Sequence, residues 1–243
     1  MTQTARDLES TFVHAWELLA RNWVLVLPGL VLAVLSAVAQ FVFVVIILGA
    51  YVITGNGSQD ALVASHALVA IVIVVITIAF ALAQMAYVTG MAGGAWQHGR
   101  TTLRDGWDAL VHRFGPILFA AALLFLIGLC AAVLSTVTFL VPLAVYAVFF
   151  IYTMASVIIG GRGPADAIAE SARVAMRNFW PTAGVVVLIA VISVAGAWIG
   201  DLLGHVSAFA GWLLAGVLQQ VIVAYASLVV AGEYLKLTNQ PTA

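Results

Sequence analysis

Residues 61–114 read ALVASHALVAIVIVVITIAFALAQMAYVTGMAGGAWQHGRTTLRDGWDALVHRF, an apolar run, a basic turn and an amphipathic segment in that order. The part 61–95 contains no Lys, Arg, Asp or Glu. It exceeds the roughly 20 apolar residues that carry a helix through a bilayer core and is far longer than a soluble core helix needs. Arg100, Arg104 and Arg113 follow, interleaved with Asp105 and Asp108. Among them Leu103, Trp107, Leu110 and Phe114 recur at steps of three and four, which places them on one stripe of a helix. A new apolar run then begins at Gly115.

Working outward in both directions, the same alternation gives six spans over residues 23–53, 61–95, 115–137, 139–159, 181–203 and 207–235. All 9 Lys and Arg residues fall on one side of this pattern. Arg6 and Arg21 precede the first span, Arg162, Arg173 and Arg177 lie between the fourth and fifth, and Lys236 follows the sixth. The other side offers only Asp60, Asp201 and His205 among its charged or titratable boundary residues, besides His66. By the positive-inside rule both termini are cytoplasmic, and the expected class is an all-α, polytopic bundle of six transmembrane helices.

Composition excludes other classes. With 64% hydrophobic and 8% charged residues, the chain has too little polar surface to cover a soluble globule. The longest polar stretches, 1–22, 96–114 and 160–179, are far shorter than the about 50 residues of a small independent domain. A net charge of −1 gives no reason to expect nucleic acid, and the basic residues are too interleaved with acids to make a polybasic patch. The single cysteine, Cys130, lies inside the third span and permits no intramolecular disulfide; small-residue packing is its expected role. Ala37-Val38-Ala39 resembles a signal-peptide cleavage site, but the apolar run continues to Ile53, so the segment reads as a retained first span.

One unit recurs three times, over residues about 4–95, 101–159 and 164–235. A shift of 65 residues lays Ser171 to Val174 over Gly106 to Ala109, Pro181 over Pro116, Phe179 over Phe114 and Tyr152 over Tyr87. A shift of 156 lays Asn178 over Asn22 and Arg177 over Arg21. Each unit opens with an amphipathic segment expected to lie as a helix at the cytoplasmic interface, with stripes Leu8-Phe12-Trp16-Leu19-Trp23, Leu103-Trp107-Leu110-Phe114 and Ile168-Ala172-Ala175-Phe179. Thr102 and Asp105 have capping-box spacing, and Pro164 suits a first helical turn. Trp16, Trp23, Trp107 and Trp180, together with Trp96, are expected as interfacial anchors at headgroup level. The first two spans are longer than the bilayer needs. Pro28 is placed to kink the first, while Gly90, Gly93 and Gly94 can bend or end the second or, the preferred reading, give a close-packing surface.

Chemistry at membrane depth needs ionisable groups, and no span carries Lys, Arg, Asp or Glu near its middle. Glu233 is nearest, toward the end of the last span, where water is within reach and an interfacial or capping role is expected. The deep polar residues are neutral: Gln40, Gln84, Gln219 and Gln220, with Ser36, Thr77, Ser135, Thr153, Ser156, Ser193 and Ser227. Glutamine in hydrocarbon needs a partner, commonly on another helix, and Gln40 with Gln219 or Gln220 is the expected contact. The same glutamines are alternatively a polar solute site. His66, His205, Asp60 and Asp201 could meet as an outward-facing metal or proton site, but no histidine pair has helical metal-site spacing, and solvated loop residues are the expected reading. Gly160-Gly161-Arg162-Gly163-Pro164 lacks the Lys-Ser/Thr ending of a phosphate loop and reads as a turn. No catalytic, cofactor or metal residue is assigned.

Residues 164–180, PADAIAESARVAMRNFW, followed at once by a span, resemble a segment of uncharacterised bacterial six-span families related to the membrane domain of some glycerophosphoryl diester phosphodiesterases. Those families carry a cytoplasmic small-Ser-x7-Phe-Trp pattern before a span, which Ser171, Phe179 and Trp180 match; residues 101–114 resemble a weaker earlier copy. The resemblance implies the six-span architecture and transfers no catalytic residue. Six spans in three parallel units also have the plan of mitochondrial carriers, but their Pro-x-acidic-x-x-basic motif and basic cavity residues do not occur, so that likeness is architectural analogy alone. The expected function is a non-enzymatic scaffold, assembly or lipid-environment accessory, with membrane lipids and another membrane protein or a second copy as partners. The alternative is a transporter or channel for a neutral or amphipathic solute lined by the glutamines.

Overall fold

The structure, a computed structural model, describes residues 3–54, 59–206 and 208–238. Within them the regular structure is all helical, joined by short turns, without strands. A first helix, α1 (Gln3–Arg21), is followed by a short 3-10 turn (Trp23–Val26) and the long helices α2 (Leu27–Thr54) and α3 (Gln59–His98). Next come α4 (Leu103–His112), α5 (Phe114–Ser135), α6 (Val141–Phe150) and α7 (Thr153–Ile158). The last three are α8 (Pro164–Arg177), α9 (Phe179–Val206) and α10 (Ala208–Leu237). Six stretches are long and apolar enough to cross a membrane, as in a multi-pass integral membrane protein: Trp23–Ile47, His66–His98, Phe114–Ser135, Val141–Ile158, Phe179–Leu202 and Leu213–Leu237.

Local chemistry explains the helix starts. At α4, the backbone N–H of Thr102 donates to Asp105 Oδ2 at 2.7 Å and Thr101 Oγ1 donates to the same oxygen at 3.2 Å, satisfying donors that the first turn leaves open. Pro164 opens α8, where its missing N–H costs nothing. Pro28 stands at the second residue of α2, directly after the 3-10 turn, so the irregularity of the first span lies at its start. Gly90, Gly93 and Gly94 do not end α3, which runs for 40 residues to His98. Gly99, at φ +69, then provides the left-handed residue that stops it. The three earlier glycines serve approach: a Cβ at Gly90 would run into Ala109 of α4, and one at Gly93 would press on Ile159.

Each passage from a short helix into a span turns on one residue. Asn22 has φ −124 and ψ 51, Arg113 φ −114 and ψ 13, and Asn178 φ −128 and ψ 49. The two asparagines also close the same bond: Asn22 Nδ2 donates to Leu18 O at 2.9 Å, and Asn178 Nδ2 donates to Val174 O at 3.2 Å. Both acceptors lie four residues back, among the carbonyls a helix end leaves unpaired.

The fourth span differs from the sequence reading. It is not one helix over 139–159 but two, broken at Ile151 and Tyr152. Ser171 of α8 fills the break: its Oγ accepts the Tyr152 N–H at 3.2 Å and donates to Phe149 O at 2.8 Å. One hydroxyl thereby stands in for helical bonds lost at that point. The turn from α5 to α6 is equally local, with Phe139 at φ 49 and Leu140 at φ 64 in the left-handed region that bulky residues rarely enter. Phe139 is 95% exposed, so the apex of this hairpin is apolar and uncovered by protein.

The core sits at one end. Bonds from Asn22 to Gly99 O, from Arg113 to Gly161 O and from Trp96 to Leu228 O draw the basic segments to a common face, here termed the basic end. The buried clusters, including Leu19, Val88, Met91, Ala120, Val157, Val185 and Leu228, belong to the half of the bundle adjoining it. α2 packs chiefly along α3, and α9 along α10, whereas α5 and α6 are tied to the rest mainly through α7 and α8. Toward the far end the hairpins expose apolar residues such as Phe41, Ile71, Val133 and Trp198. Three span pairs therefore meet at the basic end and diverge from it.

Candidate functional site

Divergence of the hairpins leaves a cavity of about 800 Å³ lined by α3, α5, α6, α7, α9 and α10. Its walls are overwhelmingly apolar, from Ile78 and Met85 of α3, Phe125 of α5, Ile189 of α9 and Ile222 of α10. None of the lining residues is Asp, Glu, Lys, Arg or His. The cavity size falls in the range of sites that bury a small molecule or a lipid chain.

Its few polar walls are neutral, comprising Gln84, Thr89, Tyr146, Ser193, Gln219 and Ser227. Two of them are engaged within the protein: Gln84 Nε2 donates to Gln220 Oε1 at 2.5 Å, and Tyr146 OH donates to Leu124 O at 3.0 Å. The side chains of Thr89, Ser193, Gln219 and Ser227 make no hydrogen bond to any described residue. Gln219 and Ser227 share α10 eight positions apart, about 12 Å at 1.5 Å per residue, so these groups are spread along the cavity rather than gathered at one point.

The glutamines pair differently from the sequence expectation. Gln40 does not reach Gln219 or Gln220. Its Nε2 donates to Ser36 Oγ at 3.0 Å and to Thr77 Oγ1 at 3.2 Å, because α2 packs along α3. Across the bundle the contact is Gln84 with Gln220, and Gly29 makes it possible: a Cβ there would collide with Gln220 Oε1 and crowd Gln84 Nε2. The sequence reading missed Thr89 and Tyr146 as lining residues, since one threonine or tyrosine in an apolar helix carries no signal of the direction it faces.

Glu233 lies away from water. It is 1% exposed, held between α1 and α10, where Thr11 Oγ1 donates to its Oε1 at 2.5 Å and Lys236 Nζ stands 3.6 Å away. The interfacial expectation fails because α1 folds back over the end of α10. A second carboxylate, Glu170, takes hydrogen bonds from Ser156 Oγ and, at 3.3 Å, from Tyr234 OH, with Arg162 Nε at 3.4 Å. It thereby ties α8 to α7 and α10. Both carboxylates are accounted for by charge-assisted bonds that join elements.

Trp16, Trp23, Trp107 and Trp180 are exposed at the basic end, Trp180 to 79%. Trp96 is not: it is buried, its Nε1–H donates to Leu228 O at 2.8 Å, and Gly232 lies against its ring. It is a packing residue between α3 and α10. His205 Nδ1 bonds Asp201 O at 2.8 Å within its own helix. The Asp60 side chain lies outside the described residues, and among those described no group of three His, Cys, Asp or Glu gathers to hold a metal. Comparison of the chain with protein families, curated proteins and solved structures finds no match.

Proposed function

We propose that the protein is a non-enzymatic lipid-environment accessory of a bacterial cytoplasmic membrane, which holds an apolar or amphipathic membrane constituent in the cavity between its hairpins. The observation that carries this reading is the lining: a large apolar hollow among the spans with no Asp, Glu, Lys, Arg or His in its wall. Proton transfer, charged-substrate binding and acid-base chemistry all call for such residues, whereas an acyl chain calls for apolar walls. The one-sided basic residues support a reading in which both termini are cytoplasmic, under the positive-inside rule. On that orientation α1, α4 and α8 lie at the cytoplasmic interface, anchored by Trp16, Trp23, Trp107 and Trp180.

Three parallel units are part of the same proposal. The matching dihedrals at Asn22, Arg113 and Asn178, which the shifts of 65 and 156 residues align, support it. So does a pair of equivalent contacts. Gly106 meets the Tyr87 ring, and Ser171 meets the Tyr152 backbone, each pair related to the other by the 65-residue shift. Kinship with the six-span families named above fits this plan and adds no activity to it.

Native mass spectrometry after extraction in mild detergent tests the reading. The wild type is expected to retain membrane lipid, and the cavity-filling double variant Ala190→Phe/Ala226→Phe to lose it while remaining folded. Equal lipid retention by both proteins would place the lipid elsewhere and overturn the proposal. Gradient-driven uptake of a neutral solute into liposomes, abolished by the same variant, would favour the transporter alternative instead.

A further inference from the structure

We infer that the occupant of the cavity is an uncharged lipid carrying a neutral hydrogen-bonding group, of the diacylglycerol or long-chain alcohol kind, rather than a phospholipid headgroup or a bare hydrocarbon chain. The inference rests on the lipid-holding reading above and specifies its ligand class. Two observations carry it. No residue lining the cavity bears a charge, so an ionised headgroup drawn to this depth would lose its hydration against no countercharge, at a cost of several kcal/mol per ion. That excludes phosphate and ammonium groups from the interior.

The second observation separates a polar lipid from an alkane. Thr89, Ser193, Gln219 and Ser227 present three hydroxyls and an amide to the cavity and bond to no described residue, although three different helices supply them. At bilayer depth there is little water to satisfy them, and an unmet polar group is costly. Gln219 is the sharpest case, because its neighbour Gln220 is paired with Gln84 while Gln219 faces the hollow. A guest hydroxyl would donate to the amide oxygen and accept from its N–H, and a guest ester would accept from the amide N–H and from the hydroxyls along the wall. A bare chain would leave all four unmet.

A photoactivatable diacylglycerol, with its diazirine in one acyl chain, tests this on the full chain in detergent micelles. Labelling of peptides containing Met85, Phe125 or Ile222 is expected, and unlabelled diacylglycerol should compete at least tenfold better than phosphatidic acid of the same chains or hexadecane. Gln219→Leu should weaken diacylglycerol competition about fivefold, the value of one neutral hydrogen bond, and leave hexadecane competition unchanged. Ser193→Ala provides an independent second variant with the same expected direction. Equal competition by phosphatidic acid would overturn the exclusion of charge. Equal competition by hexadecane would overturn the polar-group inference while leaving a lipid-holding cavity. Absence of label from all lining peptides would overturn the lipid-holding reading itself.

Discussion

At the scale of single residues, the adjacent glutamines of α10 have opposite environments, and this makes them separable by experiment. Gln220 accepts a hydrogen bond from Gln84 over the gap left by Gly29, whereas Gln219 bonds to no described residue. Hydrogen bonds between membrane helices are worth roughly 0.6 to 2 kcal/mol, and leucine in an apolar site carries no polar penalty. Gln220→Leu is therefore expected to destabilise the bundle by about 1 kcal/mol in a denaturing-detergent titration, because Gln84 loses its acceptor. Gln219→Leu should be neutral or slightly stabilising in the same titration. A larger loss for Gln219→Leu than for Gln220→Leu would mean that the pairing is wrong. The sequence showed that deep glutamines need partners; it did not show which, since partner choice depends on helix rotation and on one missing Cβ.

At the scale of elements, the break between α6 and α7 is sustained from outside its own segment. Residues 146–156 contain neither Pro nor Gly, so nothing in their propensity ends a helix there. The Ser171 hydroxyl bridges the Tyr152 N–H and Phe149 O, and Tyr152 OH donates to Thr182 Oγ1 at 3.3 Å on α9. Ser171→Ala removes the acceptor and leaves a buried backbone donor unmet, a cost of about 1 to 3 kcal/mol. We expect a destabilisation of that size in thermal unfolding, with faster exchange of the Tyr152 amide. A change below about 0.5 kcal/mol would show that the break persists without the serine. Gly106, 65 residues earlier in α4, fills no break and instead admits the Tyr87 ring. The start of α4 at Thr102 and that of α8 at Pro164 were legible, because caps act over three or four residues. The break was not, because its cause lies some twenty residues away in sequence.

At the scale of the whole molecule, orientation is a statement about charge. Single cysteines at Ser58 and Ser207, in a Cys130→Ser background, should react with a membrane-impermeant maleimide in intact cells; both positions lie outside the described residues. Cysteines at Gly99 and Gly163 should react only after the cells are opened. Labelling of either of these in intact cells would reverse the orientation and with it the interfacial reading of α1, α4 and α8. The sequence by itself determined the six apolar spans and the one-sided distribution of charge. These follow from transfer free energy and helix rise, which are sums over neighbouring residues. Tertiary structure alone decided that the hairpins converge at the basic end and diverge beyond it, that Glu233 and Trp96 are buried, and that a neutral cavity opens among α3, α5, α6, α7, α9 and α10. In an apolar chain every helix face is equally acceptable to lipid, so hydrophobicity cannot choose the contacting faces. Small residues, single hydroxyls and paired amides choose them, and their effect depends on what stands opposite across the bundle.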